Sequence, residues 1–287
     1  LNAGVVQQRL GYFARGAYYY EKSLLKSRAS SKMWGYLGAT YYEWSLKSNE
    51  DQNCIAGGVE ELRKRASSSM DTAIASGFSP PSTLHSRGSL ALDMNDPNKA
   101  IEFLQKALEL TAISKSINTD VPQSDLVNEA YTLNQLGNVY SRIGRHNEAI
   151  SVYMRGLNLD GTALSLLVNV GSSLRAVDRL DEARSVLLQA ISIQEKNSGE
   201  PSIAVLNNLA LVEMDDGNFD TAEQLLYRAD SLHKNQHASK GSLIDNDGEA
   251  THIRASEIGE ESIEKLIETN LHRVQVERER VQSKNFK

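Results

Sequence analysis

Apolar residues recur at spacings of three and four along most of the chain, which is the periodicity of helices with one buried face. Between these stretches stand short polar segments with a glycine or an aspartate, such as Gly144, Asp178 and Gly217. Such residues stop a helix because they adopt the left-handed conformation at low cost. The pattern therefore predicts a series of short helices joined by tight turns.

The pattern also repeats at a fixed distance. Gly137 and Gly171 are 34 residues apart, and so are Ala149 and Ala183. A third copy, which includes Ala222, follows after five extra residues. Small residues at these positions let two helix backbones approach each other, while the large residues between them are buried only when successive helix pairs stack.

Four residues carry a more specific signature. Trp34, Leu37, Gly38 and Tyr41 match the first half of the tetratricopeptide pattern, Trp-x2-Leu-Gly-x2-Tyr. The chain resembles the tetratricopeptide repeat family over roughly residues 1 to 236. This resemblance implies an all-α fold, a right-handed α-solenoid of about six helix-turn-helix repeats.

Carrying the register along the chain predicts its domain organisation. Two polar insertions, at 49–58 and 115–129, lengthen the array. A polar, glycine-bearing linker is expected at 237–252, followed by a C-terminal helix at 253–287. The predicted repeats are 1–30, 31–80, 81–114, 130–163, 164–197 and 203–236.

The C-terminal helix has one apolar stripe, formed by Ile263, Leu266, Ile267, Leu271 and Val274. We expect it to cap the open apolar end of the sixth repeat, because terminal repeats need a polar outer face. The alternative is a helix that binds a partner or self-associates.

Composition narrows the class of protein. The net charge is −6, with basic residues spread along the chain, so nucleic acid is not an expected partner. The sequence has no run of apolar residues long enough for membrane insertion. The single cysteine, Cys54, and the absence of glycosylation sequons indicate an intracellular location, with the cytoplasm favoured. The chain begins at Leu1, so we expect a piece of a longer protein or a processed form.

No catalytic or metal-binding motif stands out. His233 and His237 are four residues apart, and we interpret them as two solvated side chains rather than as metal ligands. Cys54 lies in a predicted loop and is interpreted as an incidental thiol. The sequence thus predicts no enzyme activity, no cofactor and no metal.

The resemblance also implies where a ligand would bind. In this family the first helix of each repeat lines the concave groove. The implied groove residues are polar and rich in carboxamides: Asn134, Gln135, Asn138, Arg142, Asn169, Ser172, Arg175, Asn207 and Asn208.

Gln135, Asn169 and Asn208 hold the position of the asparagine ladder that contacts extended peptides in arrays of this family. Carboxamides donate and accept hydrogen bonds, so a row of them can pair with successive peptide groups. Arg142 and Arg175 would suit an acidic peptide. Alternatively, polar residues at these positions bond between neighbouring helices and fix their packing.

The sequence therefore predicts a scaffold or adaptor that binds a protein or peptide partner. Two alternatives stay open. The chain could be a structural subunit of a multi-subunit complex, or the regulatory region of an enzyme whose catalytic domain lies outside these residues.

Overall fold

The computed structural model describes residues 2–26, 30–47, 57–116, 128–241 and 253–285. Regular structure within them is α-helical throughout, which confirms the predicted all-α class. The helices in these residues are α1 Asn2–Arg9, α2 Phe13–Lys26, α3 Ser31–Ser45, α4 Gly58–Ala75, α5 Pro81–Asp93, α6 Pro97–Ser116, α7 Glu129–Arg142, α8 His146–Leu159, α9 Leu164–Ala176, α10 Leu180–Ser198, α11 Ile203–Asp215, α12 Phe219–Gly241 and α13 Ile253–Asn285.

The chain divides into two compact bodies, residues 1–143 and 144–287, here called the N-terminal and C-terminal bodies. In the N-terminal body, α1 pairs with α2, α3 with α4, and α5 with α6, and each pair packs on the next. Helix α7 packs on α6 and α5. This arrangement is a stack of helical hairpins.

The C-terminal body is also a stack of helical hairpins. Helix α8 packs on α9, and α9–α10 and α11–α12 form two stacked hairpins. Helix α13 packs against α12 and also contacts α11, which is the position that the first helix of a further hairpin would take.

Small residues sit where the two helices of a hairpin meet. A Cβ atom added at Gly38 of α3 would lie 2.5 Å from Met70 Cγ and 3.0 Å from the Met70 backbone nitrogen on α4. At Gly171 of α9 it would lie 2.7 Å from Leu187 Cγ on α10. The glycines of the repeat are thus set by close helix packing, as the spacing predicted.

The turns follow from local backbone chemistry. Gly217 ends the α11 segment with φ of 83°, and Asp178 takes φ of 61° at the equivalent place after α9. Asp is one of the few residues with a side chain that tolerate this region. The Ser202 hydroxyl and the Asn128 carboxamide oxygen accept backbone hydrogen bonds at the starts of α11 and α7.

Helix α13 caps the array, which confirms the capping interpretation over the partner-binding alternative for its buried face. Val274 is 1% exposed and packs, with Leu271, against Met214 and Leu226. Arg278 donates to Asp220 and Glu223, both at 2.9 Å. Stacking the cap on the last hairpin buries apolar surface that would otherwise face water.

Two expectations need adjustment near this end. His233 was interpreted as solvated, but it is only 6% exposed on α12, the helix that packs against α13. Helix α12 extends to Gly241, and the rest of the predicted linker, 242–252, lies outside the described residues. Cys54 also lies outside them.

Arg87 of α5 is an unexpected core residue. It is buried at a register position where other repeats carry apolar residues such as Leu37 and Leu136. Its guanidinium donates twice to Asp71 of α4, at 2.7 and 3.2 Å, and lies 5.1 Å from the ring of Phe103 on α6. A bidentate ion pair and a cation–π contact satisfy the buried charge.

None of the helices that the structure describes combines the length and the apolar composition that a membrane span requires.

Candidate functional site

We call the face formed by the first helix of each repeat the inner wall of a body. In the N-terminal body α3 contacts α5 and α5 contacts α7, and in the C-terminal body α9 contacts α11 and α11 contacts α13. Polar residues at the predicted groove positions lie on these helices, so the inner walls are the candidate binding surfaces.

In the C-terminal body the ladder position is partly open to solvent. Asn169 of α9 and Asn208 of α11 are both partly buried, and Ser172 of α9 is exposed. One N–H of the Asn208 carboxamide donates to the Ala204 carbonyl oxygen at 2.9 Å. A carboxamide has a second N–H and two oxygen lone pairs beyond that bond, so Asn208 keeps hydrogen-bonding capacity.

Two other predicted residues of this body link neighbouring first helices. Arg175 of α9 forms an ion pair with Asp215 of α11 at 3.2 Å. Asn207 is buried, and its side-chain oxygen accepts a hydrogen bond of 2.6 Å from Asn270 of the capping helix. These contacts are of the packing kind that the alternative interpretation anticipated, and the positive charge of Arg175 is balanced within the protein.

In the N-terminal body the predicted residues all lie on α7. Asn134, Gln135 and Asn138 are partly buried, and Gln135 Nε2 donates to the hydroxyl of Tyr131 at 3.0 Å. Arg142 is exposed overall, and its Nη1 donates to the Leu92 carbonyl oxygen of α5 at 3.4 Å.

The structure adds a cluster that the sequence did not single out. Tyr42 of α3 donates to Asp93 of α5 at 3.1 Å, and the rings of His85 of α5 and Tyr131 of α7 lie 5.3 Å apart. Burial and the neighbouring Asp93 carboxylate raise the pKa of Tyr42, and Tyr131 adds to this shift. The cluster therefore spans three first helices. The residues hold four different register positions of these helices, so the repeat pattern did not bring them together.

His85 is neutral at physiological pH. Burial lowers the pKa of its ring to about 4. Thr132 donates its hydroxyl proton to the Asn128 carbonyl oxygen, while His85 Nδ1 lies 3.0 Å from the same hydroxyl oxygen.

This burial predicts a pH dependence of stability. Because the pKa of His85 is lower in the folded protein than in the unfolded chain, the unfolded chain takes up a proton more readily. Stability is therefore highest at pH values above the unfolded-state pKa of about 6.5, and it falls as the pH drops toward 4. We expect the free energy of unfolding to fall by about 2 kcal/mol between pH 6.5 and 5 on account of His85. Urea unfolding of the wild type and of His85→Gln at both pH values measures it. Equal pH dependence in the two proteins would exclude this role.

No group of three or more His, Cys, Asp or Glu side chains in the described part of the chain is arranged to hold a metal ion.

Comparison with known families gives the decisive observation. A tetratricopeptide repeat model matches residues 81–113, 130–162 and 164–197, and a second tetratricopeptide repeat model matches residues 202–234. The chain contains tetratricopeptide repeats. The two patterns recognised in the sequence, the spacing of 34 and the Trp-x2-Leu-Gly-x2-Tyr signature, belong to this family.

Solved structures share the tetratricopeptide fold. MamA superposes with a TM-score of 0.55 at 19% identity, over 69% of this chain and 98% of that one. YrrB, described as a tetratricopeptide protein with an unusual peptide-binding site, superposes with a TM-score of 0.51 at 17% identity, over 78% and 99% of the two chains. One chain of the APC/C Cut9–Hcn1 hetero-tetramer superposes with a TM-score of 0.55 at 15% identity, over 94% of this chain and 41% of that one.

No curated protein matches the sequence significantly. The tetratricopeptide fold suggests a protein-interaction scaffold, and such scaffolds are generally non-catalytic.

Proposed function

We propose that this tetratricopeptide repeat protein is a non-catalytic scaffold that holds an extended segment of a partner polypeptide on the inner wall of its C-terminal body. The observation that carries the proposal is the repetition of a partly buried carboxamide that still reaches solvent, at one register position of successive first helices, Asn169 on α9 and Asn208 on α11. Peptide groups of an extended chain recur along its length, so carboxamides repeated along a stack of helices can pair with several of them.

YrrB, which shares the fold, has an unusual peptide-binding site, and this supports the same use of the fold here. Arg175 is paired with Asp215, and Asn207 with Asn270, so in this proposal both position the wall rather than contact the ligand. The partner segment is then recognised mainly through its backbone, with Ser172 as a further contact on the same helix as Asn169.

We further propose an intracellular, cytoplasmic location and membership of a multi-subunit assembly. A scaffold that reads peptide backbone gains selectivity when the partner also contacts other surfaces, as in a complex of several chains.

The test is a peptide-binding measurement. A displayed library of random 16-residue peptides is selected on the full chain, and the dissociation constants of enriched peptides are measured for the wild type and for Asn169→Ala combined with Asn208→Ala. Loss of two hydrogen-bonding side chains is expected to weaken binding about tenfold or more.

A matched control uses Asn147→Ala combined with Asn158→Ala. Both asparagines are exposed and lie on α8, a second helix of a repeat. This control should bind as the wild type does. If the inner-wall double variant binds every enriched peptide with unchanged affinity, the inner wall of the C-terminal body is not the binding surface.

A further inference from the structure

The inner wall of the N-terminal body differs in chemistry from that of the C-terminal body, because it carries aromatic side chains. Tyr36 of α3 and Phe78, which precedes α5, form one pair whose ring centroids lie 6.3 Å apart. His85 of α5 and Tyr131 of α7 form a second pair at 5.3 Å. By contrast, α9 and α11 of the C-terminal body, which the structure describes in full, contain no aromatic residue. The two aromatic pairs are therefore a separate candidate surface.

A glycine makes room for the first aromatic pair. Gly35 holds a groove position of α3 where later repeats carry larger residues, such as His85 and Asn134. A Cβ atom added at Gly35 would lie 2.7 Å from Phe78 Cε1. The Phe78 ring thus lies against the α3 backbone, and it meets the Tyr36 ring edge to face at an interplanar angle of 66°.

Hydrogen bonds between first helices hold the aromatic pairs in place. The Tyr42 hydroxyl of α3 donates to Asp93 of α5 at 3.1 Å. His85 Nδ1 lies 3.0 Å from the hydroxyl oxygen of Thr132 on α7. Tyr131 is 54% exposed, so a ligand can reach the second pair. A ligand would therefore meet a surface that is ordered before it binds.

The rings also present hydrogen-bond donors. The Tyr131 hydroxyl accepts a hydrogen bond from Gln135, so its own proton can be donated to a ligand. Within the described ranges, the Tyr36 hydroxyl has no hydrogen-bond partner. A ligand that offers acceptors beside apolar groups satisfies both the hydroxyls and the rings.

The surface around the aromatic pairs carries little charge. The first six residues of α3, α5 and α7 include two charged side chains, Lys32 and Glu129, since His85 is neutral. Glu129 is paired with Lys115 of α6 at 2.7 Å. Lys32 Nζ lies 5.7 Å from the centre of the Tyr36 ring. An occupant of this surface is therefore mostly uncharged, and beside Lys32 it carries an acidic residue rather than a basic one.

The arrangement of the pairs on successive helices favours one backbone conformation of the occupant. Packed helices lie about 8 to 10 Å apart, and α3 packs directly on α5. A polyproline II segment has three residues per turn and advances about 9 Å per turn, so one turn spans neighbouring first helices. In a β-strand, residues on one face recur every 6 to 7 Å or so, which is about 2 to 3 Å too short.

We propose that the inner wall of the N-terminal body binds a proline-rich segment of a partner protein in the polyproline II conformation. Prolines three residues apart pack on the Tyr36–Phe78 pair and on the His85–Tyr131 pair. The carbonyl oxygens beside these prolines accept from the hydroxyls of Tyr36 and Tyr131. Proline has no N–H, so such a segment takes its hydrogen bonds from donors on the protein, and aromatic grooves with donors are what recognise it.

The experiment selects random 16-residue peptides on the full chain and sorts them by their dependence on Tyr131. Dissociation constants are measured for the wild type, Tyr131→Ala, Tyr131→Phe and Lys32→Glu. Tyr227→Ala is the matched control, because Tyr227 is 51% exposed on the second helix α12, as Tyr131 is 54% exposed on α7. Neither tyrosine belongs to a core, so both variants should fold.

We expect one class of enriched peptides with prolines three residues apart. Tyr131→Ala, which removes the ring, should weaken this class at least tenfold, and Tyr131→Phe, which removes the hydroxyl alone, about threefold. Lys32→Glu should weaken the members with an acidic residue about threefold. Tyr227→Ala and the Asn169→Ala, Asn208→Ala variant should bind this class as the wild type does. Replacing the paired prolines of such a peptide by alanine should weaken binding at least tenfold.

The proposal is overturned if no enriched peptide depends on Tyr131, or if the peptides that do so lack the paired prolines. It is also overturned if the chain alone is a dimer that Tyr131→Ala dissociates, since the occupant would then be a second copy. The proposed function depends on Asn169 and Asn208 of the other body, so its failure and the failure of this proposal give different results.

Discussion

Replacing Arg184 by alanine is expected to lower the free energy of unfolding by about 3 to 5 kcal/mol. Arg184 of α10 donates to Glu213 of α11 at 2.7 and 3.3 Å, and it also donates to Asp216 in the turn that follows. The Glu213 side chain is only 8% exposed. Without the guanidinium, a buried carboxylate loses its counter-charge, and desolvation then dominates the cost.

The matched control is Arg179→Ala. Arg179 pairs with Glu182 at 2.6 Å, but the two side chains are 46% and 58% exposed, so solvent screens their interaction and it adds little to stability. A double variant, Arg184→Leu with Glu213→Leu, should recover most of the lost stability, because it removes both charges of the pair. Urea unfolding followed by circular dichroism compares the four proteins. Equal losses for Arg184→Ala and Arg179→Ala would contradict the role of the buried pair.

The substitution Gly38→Ala is expected to destabilise the N-terminal body by about 2 kcal/mol, although alanine favours a helix over glycine by about 1 kcal/mol. The new methyl group would lie 3.0 Å from the Met70 backbone nitrogen and 3.1 Å from the Ala66 carbonyl oxygen. A backbone cannot move aside as a flexible side chain can, so α3 and α4 must separate. Overpacking therefore exceeds the gain in helix propensity.

Gly16→Ala makes the same change where there is room. Gly16 is buried in helix α2, but its nearest neighbours would be Thr40 Cγ2 at 3.4 Å and two backbone atoms at 3.5 Å, which is ordinary contact. This variant should be as stable as the wild type or more so, and the two variants should differ by about 3 kcal/mol in unfolding experiments. A loss at Gly16 as large as that at Gly38 would show that close helix approach is not what requires glycine at Gly38.

The fold was readable from the sequence because its determinants are local or periodic. The close approach at Gly38 and the left-handed turn at Asp178 each depend on a few neighbouring positions. A residue type at a fixed spacing is then enough to place two helices side by side. The same holds for the capping helix, in whose predicted stripe Ile267 and Val274 are buried while Leu266 is exposed.

The candidate site was readable only in part. Register placed Asn169 and Asn208 on first helices, but the partners of Arg175 and Asn207 come from α11 and α13. Side-chain partners on other helices depend on the exact offset between stacked helices, which a periodic pattern does not specify. The same reason explains why the contact between Tyr42 and Asp93 was missed.

Arg87 shows a different limit. The family pattern favours an apolar residue at its position, so the sequence alone does not explain why a charged residue stands there. The cause is Asp71 on the preceding helix together with the Phe103 ring, neither of which lies at a spacing that the repeat defines.

Cross-linking tests the central claim, that a partner segment lies on the inner wall. A p-benzoylphenylalanine is placed at Ser172, exposed on α9, or at Leu188, which is 49% exposed on the second helix α10. Irradiation is carried out with a peptide whose affinity depends on Asn169 and Asn208. The account predicts a covalent adduct from position 172 and none from position 188. An adduct from position 188 alone, or from neither position, would contradict it.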